Sequence, residues 1–162
     1  MPKVEIIDAE KALILRSPTN QVLALGEALL LAEFTQMYGR MPAHIFSQRF
    51  MASAINNDVV MLYQTADNLP DTAIGFMLLG FLTPQIARLY EARNRDLSAA
   101  ELTGGDELWV LDMATPFGHY TDMKRMLDEA YPAHANIWGL RDGKRTKFSN
   151  SVHKADVIPA KG

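Results

Sequence analysis

The chain has 162 residues, enough for one domain with a sizeable core, and its 48% hydrophobic and 22% charged residues are those of an ordinary globular protein. A formal net charge of −3 argues against general nucleic-acid binding, which needs a strong positive excess. The absence of cysteine excludes a disulfide framework, thiolate zinc sites and a cysteine nucleophile, and it fits a reducing compartment.

The opening "MPKVEIIDAEK" is charged from the start and has no apolar segment like that of a signal peptide. The longest unbroken apolar run, "AIGFMLLGFL" from Ala73 to Leu82, is well short of the ~20 residues that span a bilayer. The expectation is a soluble cytoplasmic protein without a membrane span.

In chain order, "NQVLALGEALLLAEFTQMYG" carries leucine and alanine at helical spacing, with Asn20 as N-cap and Gly39 as stop. "MPAHIFSQRFMASAINND" predicts a second helix, with Pro42 in its first turn and Ile45, Phe46, Phe50 and Ile55 as its apolar stripe. "VVMLYQT" and "AIGFMLLGFLT" read as an antiparallel hairpin turned by "ADNLPDT". Thr83-Pro84 starts a helix through "QIARLYEAR", and Ser98 with Glu101 has capping-box spacing. "ELWVLDMA" reads as the central strand, and "HYTDMKRMLDEAYP" as an amphipathic helix ended by Pro132. "ANIWGL" and "RTKFSN" form a last hairpin with Asp142-Gly143 at its turn. This order predicts an α+β fold, mostly antiparallel in its central sheet with helices packed on it, as in GNAT-type acyltransferases. One domain is expected over residues 1–150, which the resemblance described below makes acyltransferase-like, with a flexible tail over 151–162.

Asp112 is the one acid inside the run "LWVLDMA", where a carboxylate is costly unless something pairs with it. From the residues alone it is either a structural acid paired with an arginine or part of a catalytic set. The surrounding "GGDELWVLDMATPFG" resembles the "SGD-x-x-W-x-x-D-x-x-APFG" signature of the RTX-toxin-activating lysine acyltransferases. Gly105, Asp106, Trp109, Asp112, Pro116, Phe117 and Gly118 fall in register without a gap. "ALGEALLLAEF" is similar to that family's opening helix, and "SAINNDVVMLYQTADNLPDTAIGFMLLGFLT" to its helix and hairpin, so the likeness runs from about Leu25 to about Phe148.

The resemblance implies a GNAT-like fold and transfer of a fatty acyl chain from acyl-carrier protein to an internal lysine of an RTX protoxin. It implies no permanently bound cofactor, and acyl-carrier protein as the donor. It places the catalytic aspartate on Asp112, where it would orient or charge-balance a histidine base. The family's "S-P-x-H-R" motif falls on "TQMYGRMPAHIF": an ungapped alignment sets Gly39 and Arg40 on its histidine and arginine, and sliding to the proline brings up His44. His119, directly after the signature, is the runner-up base.

Acyl transfer to lysine requires the amine to lose a proton and the carbonyl oxygen to be stabilised as it turns negative. A histidine beside Asp112 suits the first task, and backbone amides of the turn "TPFGHY" suit the second. Trp109, Phe117 and Gly118 are candidates to line the acyl channel, although an aromatic on a buried strand is by default plain core. The four histidines show no i, i+3 or i, i+4 pair, so no metal site is expected. Arg141, Lys144, Arg145 and Lys147 put four positive charges into the last hairpin, a candidate docking patch for an acidic carrier protein.

Two other readings stay open. One is an acetyl-CoA-dependent GNAT acetyltransferase, for which the nearest "[QR]-x-x-G-x-[GA]" match, "QMYGRM", ends in methionine and follows a helix. The other is a catalytically inactive GNAT-like binding module. The acyl chain length, the target lysine and the assembly, including a homodimer, are not fixed by the sequence.

Overall fold

A computed structural model describes residues 3–93 and 95–148. The tail expected at 151–162 lies outside the described residues. Seven strands lie in one sheet in chain order: β1 (Glu5–Asp8), β2 (Leu13–Arg16), β3 (Val59–Ala66), β4 (Leu69–Leu82), β5 (Glu107–Ala114), β6 (Trp138–Arg141) and β7 (Lys144–Lys147). Neighbours are antiparallel throughout, except that β5 and β6 are parallel. A crossover helix joins that one parallel pair, as a return in the same direction requires.

The helices are α1 (Gln21–Ala32), α2 (Gln36–Gly39), α3 (Ala43–Ile55), α4 (Pro84–Arg93) and α5 (Tyr120–Ala130). The amphipathic α5 buries Met123, Met126 and Leu127 on one face of the sheet, against Leu15, Leu62, Met77 and Leu79. On the other face α1 and α3 bring Ala28, Leu31, Phe46 and Phe50 onto Val59, Met61, Phe76 and Leu78. Ala87 and Tyr90 of α4 cover Leu82 and Trp109 further along that face. Both sides of β3 and β4 are therefore dry, and this is why "VVML" and "FMLL" read as continuous apolar runs rather than as alternation. No helix among the described residues is long and apolar enough to cross a membrane.

Local signals act where the sequence puts them. The Asn20 side chain accepts from Leu23 N–H at 3.0 Å, and the Thr83 hydroxyl accepts from Ile86 N–H at 3.2 Å. Ser98 and Glu101 satisfy each other's backbone N–H groups at 3.3 and 2.9 Å, although the segment they open is a single 3₁₀ turn. Asp142 and Gly143 take φ of 53° and 76°, the left-handed pair that a tight hairpin turn requires. Gly105 has no room for a side chain, since a Cβ there would lie 2.1 Å from the Leu82 carbonyl carbon.

The structure departs from the sequence expectation in the hairpin turn, at Ile55 and, more broadly, at the N-terminus and in the first helix. The hairpin turn is Asp67-Asn68 alone, with β4 running from Leu69, and Ile55 is exposed. The N-terminal segment forms the β1–β2 hairpin, fastened to α5 by Arg125–Asp8 at 2.7 Å and Lys11–Asp122 at 2.8 Å. The helix expected over 20–39 stops after Ala32 and restarts as the one-turn α2. Thr35 causes the break. Its hydroxyl donates to Ala32 O at 2.9 Å and accepts from Tyr38 N–H at 3.3 Å, a local alternative to continuing the helical ladder.

Candidate active site

A bulge aims the central acid. Leu78 pairs with Asp112 and Leu79 with Val110, so Leu111 is an extra residue on β5. In regular alternation Val110 and Asp112 would share a face. The bulge leaves Val110 in the core under α5 and turns Asp112 toward α2 and α3, the side on which Ala114 also packs.

Asp112 is 8% exposed there. Its Oδ1 accepts from the Tyr38 hydroxyl at 2.9 Å and from Arg49 Nη1 at 3.2 Å. Tyr38 is fixed in turn. Its ring stands between Phe46 and Phe76, at 5.8 and 6.1 Å, and its hydroxyl accepts from Met113 N–H at 3.2 Å. Arg49, at the flank of α3, also holds the exposed Asp96 at 2.8 Å through Nε.

Burial pushes the Asp112 carboxyl above the usual carboxylate range, although Arg49 and the Tyr38 hydrogen bond pull the other way. Burial and then the Asp112 charge push the Tyr38 phenol well above its ordinary value. Burial disfavours the Arg49 cation, but Asp112 and Asp96 outweigh it, so this guanidinium stays charged.

The second feature is a cleft beside the acid. The parallel strands β5 and β6 share a single register pair, Trp109 with Trp138. Beyond it they separate, opening a space of ≈480 Å³ lined by Val110–Met113, Gly139–Asp142, Tyr38 and the α5 residues Tyr120 and Lys124. Asp112 and Tyr38 thus stand on the wall of a cleft large enough for a small extended ligand.

The histidines named from the sequence lie elsewhere. His44 is exposed in the first turn of α3, and His119 is half-buried at the N-cap of α5 with its Nδ1 enclosed and without a hydrogen-bond partner among the described residues. Neither is hydrogen-bonded to Asp112. In the turn before α5, Gly118 has φ 93° and donates its N–H to Thr115 O at 3.2 Å. Phe117 is exposed and rests on Phe34 with ring centroids 5.4 Å apart. Trp109 is fully buried, edge-on to Tyr90 at 5.7 Å, and occupies core rather than the cleft wall.

Of the hairpin cations, Arg141 and Lys147 line the cleft, and Lys144 is exposed beside them. Arg145 faces inward. Its guanidinium lies between the Trp109 and Trp138 rings at 5.0 and 4.9 Å and meets Glu107 at 3.3 Å. Sequence reasoning did not single out Tyr38 and Arg49. The one available signal was the rule that a buried acid recruits a cation, which did not say which arginine.

The open α+β sheet, the helices on both faces and a cleft beside a splayed parallel pair define a GNAT-like fold. A sequence profile of the RTX toxin acyltransferase family matches residues 17–156, and the chain belongs to that family. It is also similar to an uncharacterized protein of Synechocystis sp., 26% identical over 129 residues, covering 78% of this chain and 86% of the relative. The family makes acyl transfer in RTX toxin activation the reaction class, with an RTX protoxin as the substrate.

Proposed function

We propose that this chain moves a fatty acyl chain from acyl-carrier protein to the ε-amine of an internal lysine of an RTX-type protoxin, using Asp112. The observation that carries the reading is a buried carboxylate of raised pKa on the wall of a cleft. Burial raises the proton affinity of such a group above that of an ordinary aspartate, the direction a general base needs. The carrier's prosthetic arm is long, thin and anionic at its root, and the gap between β5 and β6 suits its shape. Arg141 and Lys147 at the cleft, with Lys144 beside them, suit the acidic surface of a carrier protein. Gln36–Gly39, the segment nearest to a CoA-binding loop, is here a one-turn helix that supports Asp112 through Tyr38, which favours the carrier over free CoA.

One observation favours the inactive binding module as a second reading: no histidine is hydrogen-bonded to Asp112 among the described residues. The test supplies the protein with a fragment of an RTX protoxin and either acyl-carrier protein charged with a fatty acid or the matching acyl-CoA, and reads mass gain on the fragment. Gain from the carrier is expected. Gain from acyl-CoA alone overturns the donor, and gain from neither favours the binding module.

A further inference from the structure

Acyl transfer from a thioester to lysine moves one proton from nitrogen to sulfur. Something on the cleft wall must carry it, and the residue that touches Asp112 there is a tyrosine. We infer that Tyr38 is a catalytic residue of this site, its hydroxyl relaying the proton between the reacting atoms and the Asp112 carboxylate. The inference rests on the acyl-transfer reading and names a proton carrier in direct contact with the acid.

Three features of the geometry carry it. The Tyr38 hydroxyl lies 2.9 Å from Asp112 Oδ1, within ordinary proton-transfer reach. Tyr38, Asp112 and Met113, the three residues joined at this hydroxyl, all line the cleft. The hydroxyl is also held in one orientation. It donates to Asp112 and accepts from Met113 N–H at 3.2 Å, so its proton points at the carboxylate and an incoming N–H shares the oxygen with Met113. The ring cannot swing away, because Phe46 and Phe76 flank it and Thr35 anchors the turn that carries it.

The step balances. The lysine enters as the neutral amine. As its nitrogen bonds to the thioester carbonyl carbon, an N–H proton passes to Tyr38 Oη while the Oη–H proton passes to Asp112 Oδ1. Collapse of the tetrahedral adduct breaks the C–S bond, and the proton returns from Asp112 through Oη to the thiolate. The products are amide and thiol, with tyrosine and carboxylate restored. Burial and the neighbouring carboxylate disfavour a free phenolate, so Oη must accept and give in one motion. Arg49, bound to the same Oδ1, keeps the carboxylate in place and sets how tightly it holds the proton.

The experiment compares wild type with Tyr38→Phe and His44→Ala in single turnover, with the acylated donor that supports transfer. Tyr38→Phe is expected to slow the chemical step roughly 10²–10⁴-fold at little cost in donor KM, whereas His44→Ala stays near wild type. In mixtures of light and heavy water the wild-type rate should fall along a curve, since two protons move together. Independently of turnover, the infrared carboxyl band of Asp112, assigned with Asp112→Asn, should titrate at higher pH in Tyr38→Phe, because the lost hydrogen bond had lowered its pKa. A Tyr38→Phe protein with near-normal turnover, a linear solvent dependence in wild type or an unmoved carboxyl titration overturns the relay alone. A wild type inactive with every donor overturns the relay and the acyl-transfer reading together.

Discussion

Asp58 and Asp112 are both buried, at 2% and 8% exposure, and in both burial pushes the carboxyl above its ordinary range. Asp58 sits in the turn between α3 and β3, where its backbone closes the turn with Ser53 O and Leu79 N–H, both at 2.9 Å. Its side chain meets Lys3, whose own side chain is 40% exposed. It is not among the residues that line the cleft beside Asp112. Asp112 has two donors converging on one oxygen, supplied by residues themselves locked in place, and it borders a cleft. Burial and a shifted pKa therefore do not by themselves mark a site. A prepared hydroxyl and room for a ligand separate the second acid from the first.

The two acids share one linkage sign. A carboxyl with raised folded pKa contributes stability that is fully present below the unfolded value of ~3.9 and is lost as pH rises through the folded pKa. Arg49 limits that loss at Asp112. Arg49→Ala is accordingly expected to cost roughly 3 kcal/mol at pH 7, the scale for removing one partner of a buried pair. The deficit should shrink toward pH 4, as Asp112 takes up a proton and needs the cation less. Urea denaturation at the two pH values reads this directly, and a deficit independent of pH would mean that Arg49 acts through packing and Asp96 alone.

The hairpin sharpens the comparison on a smaller scale, because it too mixes committed and available charges. Arg145→Ala removes a guanidinium between two tryptophans and should cost about 1–2 kcal/mol in thermal or urea unfolding. Lys144→Ala, at an exposed position, should stay within about 0.5 kcal/mol. Reversing Lys144 and Arg141 to glutamate is expected to raise the carrier KM at low salt with kcat nearly unchanged. An unaltered KM would make these residues ordinary surface.

Much of the fold was legible because its signals are local. The Thr83-Pro84 start, the Ser98–Glu101 box and the Asp142-Gly143 turn each act within a few residues. The β1–β2 hairpin escaped because its strands are four residues each and its attachment, Asp8 to Arg125, spans 117 positions. The break after Ala32 escaped because apolar spacing runs on through Phe34 and Met37, and neither glycine nor proline marks the stop. Of the site, Asp112 was visible as a lone acid in a strand. Its partners were not, since Tyr38 and Arg49 lie 74 and 63 positions away and reach it only because a bulge at Leu111 turns it to their side.

The measurement that tests the account most directly is single-turnover acylation of the protoxin fragment by Asp112→Asn and Asp58→Asn, each shown by circular dichroism to be folded. The account predicts that Asp58→Asn acylates within about threefold of wild type. Asp112→Asn should lose roughly 10³-fold or more, since the amide keeps the size and the Tyr38 hydrogen bond but cannot take the proton. A folded Asp112→Asn protein that acylates at the Asp58→Asn rate would contradict it.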